Sequence, residues 1–377
     1  MEHFPRIGIL YLTYGTKHWE QDINRCLTSL EAMTYPKDRV ELICIESKAW
    51  NTGILVKDWF EKTWMPKSMN ALPRITYVFN DRKMGFAENN NAGYAKAKEL
   101  GCDYVYLLNE DTDVDPDFLL RAVERAESDP KIAVVQSLLL LGEQRNEVNT
   151  IGNAYHFLGF GYSLGYHWTR AQAEAHLETE RKTNPDLEIG YATGAAMLAR
   201  VSALQQCGGL FDNDFFMYHE DTDASFRPRI AGWKVVIEPR SVVYHFYEFV
   251  KSRWIYFYMD RNRYVMMFSF YRLWTIFLLM PMIIVMDLGL LGFSFIRGWW
   301  REKFKVYGAL LSPSFWRWIR QRRTVIQRIR TVSDRELLRM TVSDVAFQEE
   351  AIKNPVLDYI ANPITRAYWW VARNLLY

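Results

Sequence analysis

Two acidic clusters about a hundred residues apart hold the residue types able to do chemistry in this chain: Asn109-Glu110-Asp111-Thr112-Asp113 and His219-Glu220-Asp221-Thr222-Asp223. Each follows a short apolar run, Tyr104 to Leu108 in one case and Phe215 to Tyr218 in the other, which predicts carboxylates delivered at the ends of buried strands. Hard oxygen ligands held this way suit Mg²⁺ or Mn²⁺, so one cluster can bind a cation while the other supplies a base. Taken singly, either cluster also reads as solvated turn residues or a helix start. Asp115-Pro116-Asp117 ahead of Phe118-Leu119-Leu120 has that character.

The elements that must position these carboxylates alternate between strand and helix. Strands are expected at Ile7–Leu12, Val40–Ile45, Ile75–Phe79 and Tyr104–Leu108, with helices at Trp19–Met33 and Ala87–Leu100. This order predicts an α/β fold, Rossmann-like, with a mostly parallel sheet covered by helices on both faces. Ligands of such sheets sit beyond the carboxyl ends of the strands, where Thr13, Glu46, Asp81 and Asp111 all fall.

Beside the two acidic clusters stand Gly85-Phe86-Ala87, Asn90-Asn91-Ala92-Gly93, Thr193-Gly194-Ala195-Ala196 and Gly208-Gly209-Leu210-Phe211-Asp212. In this order and spacing, from about residue 6 to about residue 265, they resemble family 2 glycosyltransferases of the GT-A fold, especially the rhamnosyltransferase-like and cell-surface-polysaccharide members. The resemblance implies a nucleotide-diphosphate sugar donor held by the turn Thr13-Tyr14-Gly15, by Glu46 where the family usually has Asp, and by Asp81 and the Gly85 loop. It implies metal contact by Asp113, with Asp111 reaching the ribose or sharing the metal and His245 in the position of a family histidine. Asp221 is implied as the base of an inverting displacement, with Glu220 beside it and Asp223 paired to Arg227. Gly194 and Ala195 would let the sugar approach the backbone. Arg261 and Arg263 either clamp the diphosphate, since guanidinium matches phosphate oxygens, or anchor the chain beside a membrane. The departures at Lys83 and Glu88-Asn89 leave the base of the nucleotide open.

Composition bounds the rest. The net charge of +2 argues against nucleic acid as a partner, and the four cysteines, Cys26, Cys44, Cys102 and Cys207, lack metal-ligand spacing and read as reduced thiols. The apolar run after Pro5 and Arg6 is only strand-length, so no signal peptide is expected. From Ile151 to Trp168 the chain is dense in aromatics and glycines, which makes His156, Tyr162 and Trp168 sugar-stacking candidates, although a core hairpin explains the same composition. Leu273 to Ile296 is nearly all apolar and long enough to cross a bilayer, yet cationic at both flanks. A helical hairpin or interfacial pair bent near Pro281, inserted in one leaflet rather than spanning, with Asp287 facing protein or headgroups, reconciles the two, and Trp299-Trp300 and Phe315 to Arg323 read as surface-bound amphipathic helices. Three parts are therefore expected: a catalytic domain over 1–265, membrane-associated helices over 266–330 and a helical tail over 331–377. The expected activity is a metal-dependent inverting glycosyltransferase on the cytoplasmic face of the membrane, extending a lipid-linked glycan or surface polysaccharide. A soluble or protein-bound acceptor and a catalytically silent assembly subunit stay open, as does a homo-oligomer.

Overall fold

The computed structural model describes residues 4–13, 18–48, 55–246, 252–345 and 357–376. Strand and helix alternate through the first part as the apolar pattern predicts: β1 (Ile7–Thr13), α1 (Trp19–Glu31), β2 (Val40–Ser47), α2 (Lys57–Thr63), β3 (Arg74–Asn80), α3 (Phe86–Glu99) and β4 (Tyr104–Asn109). There follow β5 (Thr112–Val114), α4 (Phe118–Glu127), β6 (Ile132–Leu141), β7 (Val148–Thr150), β8 (Asn153–Tyr155), β9 (Gly161–Ser163) and α5 (Arg170–Glu180). Then come β10 (Ala196–Arg200), α6 (Val201–Gln206), α7 (Glu220–Ile230) and β11 (Lys234–His245). The remainder is helical: α8 (Ile255–Phe270), α9 (Leu273–Arg297), α10 (Trp300–Leu311), α11 (Pro313–Ile329), α12 (Asp334–Arg339) and α13 (Asn362–Leu375).

The main sheet runs β3-β2-β1-β4-β10-β6-β11-β5, with β7 on β6. β3, β2, β1 and β4 are mutually parallel, β10 is antiparallel to both its neighbours, and β11 returns parallel to β6. Strand side chains alternate between faces, and both faces are covered. Ile9, Tyr11, Leu42 and Tyr106 pack with Ile23 and Leu27 of α1 and Phe118 of α4. Leu10, Ile43 and Val105 pack with Tyr94 and Ala97 of α3 and Leu204 of α6. The four cysteines are buried and free.

The C-terminal helices are not an appendage. Met266 and Phe270 of α8, Leu279 of α9, Ile319 and Ile326 of α11 and Leu337 of α12 share a third core with Phe226 and Ile230 of α7 and Tyr155 and Phe157 of the β8–β9 hairpin. Helix α8 itself runs unbroken across the boundary expected at 265. In the stretch Phe315 to Arg323, Phe315, Trp318, Ile319, Arg322 and Arg323 face protein, while Trp316, Arg317 and Arg320 stay exposed. Arg322 is buried, with Nη1 2.6 Å from Asp212 and Nη2 paired to Asp223, while Arg323 donates to the carbonyls of Phe268 (2.5 Å) and Tyr271 (2.7 Å). Trp318 Nε1 donates to Asp212 at 2.8 Å, and Trp299 is buried.

No hairpin forms at Pro281: α9 runs as one helix through that position, with the proline on its exposed side. The chain reverses instead at Gly298, whose φ of 76° is a left-handed cap that glycine adopts without a Cβ clash. Asp287 faces protein: it pairs with Lys303 of α10 and accepts from Tyr264 of α8 and, at 2.7 Å, Tyr307 of α10.

Removing one partner of a buried ion pair leaves uncompensated charge, at a cost of about 3–5 kcal/mol. Arg322→Met should therefore lower stability by about 3 kcal/mol or more in urea or thermal unfolding, while Arg320→Met, on the exposed side of α11, should stay within about 0.5 kcal/mol. Equal unfolding midpoints for the two variants would contradict this placement of α11.

Candidate active site

The turn from β4 to β5, the β8–β9 hairpin, the segment leading into β10, the start of α7, the end of β11 and the helices α8 and α9 enclose a cavity of about 490 Å³. Asp111 and His245 meet in its wall, with His245 Nε2 3.4 Å from Asp111 Oδ1 and Nδ1 3.2 Å from Asn149 Oδ1. A protonated Nε2 donates toward the Asp111 carboxylate, and a cation bound between the two groups would take the place of that proton. Burial pushes the Asp111 carboxyl up, but the charge and hydrogen bond of His245 and its own backbone amide outweigh this and hold it below the usual carboxylate range.

Asp221 and Glu220 enter the same cavity from the first turn of α7. They do not close a strand, as the apolar run Phe215 to Tyr218 suggests. That run is a strained turn, with Phe216, Tyr218 and His219 at φ of 66°, 63° and 68°, where bulky residues are rarely found. One buried side chain holds it: Asn262 Nδ2 lies 3.1, 2.9 and 2.8 Å from the carbonyls of Phe215, Met217 and Tyr218. Gly85 serves the same turn. Its φ is −76°, so it is not needed for backbone freedom; a Cβ there would strike the Phe216 carbonyl.

The two carboxylates differ in environment. Asp221 Oδ1 accepts from Thr222 N at 2.7 Å and Oδ2 from Gly194 N at 3.4 Å. Burial raises its pKa to about 6, with these amides limiting the rise. Glu220 is pushed well above the usual range by burial and by the charges of Asp221 and Asp223, and its Oε2 has no hydrogen-bond partner. Near neutral pH the pair therefore keeps one proton and leaves Asp221 ionised. Asp223 lies outside the cavity, paired with Arg227 at 2.7 Å.

Of the other expected residues, Gly194, Ala195, Arg263 and Tyr162 line the cavity. Asp113 does not, and its carboxylate is taken by Arg145. Glu46 is buried and caps α2, accepting from Val56 N (2.5 Å), Lys57 N (3.1 Å) and Tyr77 Oη (2.8 Å). Thr13 donates to the Ile45 carbonyl at 3.2 Å, and Asp81 is exposed and paired with Lys48 at 2.6 Å. Arg261 turns away to the carbonyls of Asp214 (2.7 Å) and Phe215 (3.2 Å). His156 is buried beneath the hairpin, with Nδ1 accepting from Leu158 N at 3.1 Å and Nε2 2.9 Å from the Ser343 carbonyl; burial drives its pKa down to about 4. Trp168 lies against His176, away from the cavity. Tyr14 lies outside the described residues. Sequence reasoning missed Asn262 and Arg145, and the only signal for Asn262 is a lone amide between two arginines.

A divalent cation finds a partial site here. Among the described residues no group of three or more His, Cys, Asp or Glu side chains is set to hold a metal. Asp111 and His245 supply two donors, and cations such as Mg²⁺ complete their shells with water and substrate phosphates rather than an all-protein cage.

The model of the family described as "Glycosyl transferase family 2" matches residues 12–208, more than half of the chain. Glucomannan 4-beta-mannosyltransferase 9 of Arabidopsis thaliana is 28% identical over 206 residues, covering 54% of this chain and 34% of that protein. An N-acetylglucosaminyl-diphospho-decaprenol L-rhamnosyltransferase of Mycobacterium tuberculosis (strain CDC 1551 / Oshkosh) is 38% identical over 82 residues, 22% of this chain and 26% of that one. The chain thus spans about a third or less of the length of these relatives. The structure of GalNAc-T7 with UDP, GalNAc and Mn²⁺ superposes with a TM-score of 0.54 at 15% identity, over 72% of this chain and 49% of that one, a likeness of fold. That fold is GT-A, and the match over residues 12–208 places the chain in glycosyl transferase family 2.

Proposed function

We propose that the protein transfers a sugar, with inversion, from a nucleotide-diphosphate sugar to a lipid-linked glycan or surface polysaccharide held at the cytoplasmic face of a membrane. The observation that carries this reading is a single cavity bordered by Asp111 with His245 and by the half-buried Asp221. Family membership supports a sugar-transfer reaction, and the solved relative holding UDP and Mn²⁺ is in keeping with it. The acceptor hydroxyl attacks the anomeric carbon while Asp221 takes its proton, and the bond to the diphosphate oxygen breaks in the same displacement. Gly194 N steadies the base, and the small Gly194-Ala195 pair leaves room for the sugar. Protonated Glu220 keeps a second negative charge away from the base. At the nucleoside end, Thr13 holds the end of β2 and Glu46 the start of α2.

Asp111 and His245 would hold Mg²⁺ or Mn²⁺, and Asp113 would join them on release from Arg145, whose side chain is half exposed. When bound, the cation offsets charge on the leaving diphosphate.

Membrane attachment rests on α9. It is the one helix among the described residues long and apolar enough to cross a bilayer, and its outer side leaves Phe277, Val285, Leu288 and Ile296 exposed. Trp370 and Leu375 of α13, which packs against α9, are exposed as well, and Arg297, Arg301 and Lys305 lie exposed at the C-terminal end of α9 and in α10. The helix is fastened along its length by the Asp287–Lys303 pair and by Tyr368 Oη, which donates to the Leu278 carbonyl at 2.6 Å. A transmembrane pose would carry these partners into lipid, so α9 lies along the membrane plane.

Asp221→Asn keeps shape but removes the base, so turnover should fall by about 10²–10⁴-fold while nucleoside-diphosphate affinity is kept. In the wild type Asp221 is charged only above a pH of about 6, so the rate should fall as pH drops below that value. A flat profile through this range, or near-normal turnover of Asp221→Asn, would move the role elsewhere. Excess chelator should stop transfer, and Asp111→Asn should weaken Mn²⁺ binding by calorimetry; full activity in chelator would refute the metal's part.

A further inference from the structure

The wall of the cavity built from α8, α9 and the α9–α10 turn has a chemistry that a nucleotide sugar does not use. Tyr256, Leu290, Phe293 and Trp299 make it apolar and aromatic. Leu290 and Phe293 belong to the same helix whose outer side carries the exposed Val285, Leu288 and Ile296. Gly289 lies between these two sets on the helix surface and Gly292 among the exposed side chains, and a Cβ at either would meet nothing within 4 Å. An extended hydrocarbon chain can therefore pass from the outer side of α9 over this low saddle into the cavity without leaving apolar surface.

The same wall carries two N–H donors without acceptors. Arg263 is 1% exposed, and its Nη2 lies 3.6 Å from Asp287 without a hydrogen bond. Trp299 is 4% exposed, and its Nε1 has no partner. Buried donors without acceptors are costly, and guanidinium and indole N–H groups can only donate. The missing partner is an oxygen acceptor, and phosphate is the one that guanidinium matches best.

We propose that this wall binds the phosphate and first carbons of a long-chain acceptor, in which an alkyl or polyisoprenyl chain is joined through phosphate to the sugar being extended. This rests on the transferase reading above and adds the chemical class and seat of the acceptor. Its phosphate meets Arg263 Nη2 and Trp299 Nε1, its chain lies on Phe293 and Leu290, and its far end runs out over Gly289 and Gly292 to the lipid. The sugar hydroxyl is thereby led to Asp221 from the membrane side.

The test uses the full chain in lipid nanodiscs and decyl phosphate carrying a diazirine in mid-chain. Illumination should label Tyr256, Leu290, Phe293 or Trp299, and unlabelled decyl phosphate should suppress the adducts about tenfold better than decanol or inorganic phosphate, as a charged hydrogen bond requires. Trp299→Phe removes the N–H and keeps the ring; it should cut labelling about tenfold with nucleoside-diphosphate binding unchanged. Leu290→Trp should block the saddle in the same assay if Trp299→Phe misfolds. Adducts confined to Leu288, Phe295 and Ile296 would mean membrane contact only. Decanol competing as well as decyl phosphate, or suppression by nucleoside diphosphate alone, would also overturn the proposal. Failure of nucleoside diphosphate to bind at all would instead strike the transferase reading, independently of where the alkyl phosphate labels.

Discussion

The grip of Asn262 on three of the four carbonyls from Phe215 to Tyr218 is the constraint on which the rest of the site depends. Three residues between Phe216 and His219 sit in left-handed backbone, each costing on the order of 1–3 kcal/mol. Only a surrounding structure that over-determines the turn can keep it. Asn262 supplies the hydrogen bonds, Gly85 makes room for the Phe216 carbonyl, and Tyr258 stacks on the Phe216 ring at 4.9 Å. The turn in turn sets the first residues of α7 and aims Glu220 and Asp221 into the cavity. Since Asn262 and Tyr258 belong to α8, Asp221 is positioned by the helical part of the chain, and α11 reaches α7 through Arg322 and Asp223.

Electrostatics then divides the labour. A carboxylate buried at a helix N-terminus feels two opposed effects: loss of water favours its neutral form, and amide donors with the helix dipole favour its charge. Asp221 has the amides of Thr222 and Gly194 and stays within reach of neutral pH. Glu220 has an oxygen with no donor and the charges of its neighbours, and keeps its proton. Asp111, with His245 beside it, is held low. One cavity thus presents an anion suited to a cation and an anion suited to a proton.

The sheet was legible because both of its faces are covered, so β1, β2 and β4 stand out as apolar runs and α1 and α3 as amphipathic stretches between them. Both acidic clusters were legible as residue types. Local conformation was not: Phe215 to Tyr218 is as apolar as a strand, and only the Asn262 contact, made across more than forty residues of sequence, turns it into a helix start. Asp111 lines the cavity beyond the end of its strand, whereas Glu46 is drawn away by the amides at the start of α2 and Asp81 by solvent and Lys48. Arg322 was read as a surface cation because periodicity does not reveal that Asp212 and Asp223 wait beneath it. Pro281 was read as a bend because a proline in an apolar run looks like a break, while the reversal came from Gly298.

In the proposed mechanism Asp221 acts as base and no protein group attacks the sugar, so transfer is one displacement at the anomeric carbon. The measurement that bears on this most directly is the anomeric configuration of the first product formed, read by proton NMR before any mutarotation. The account predicts a configuration opposite to that of the sugar in the donor. Retention of the donor's configuration would require a second displacement or an internal return and would contradict it.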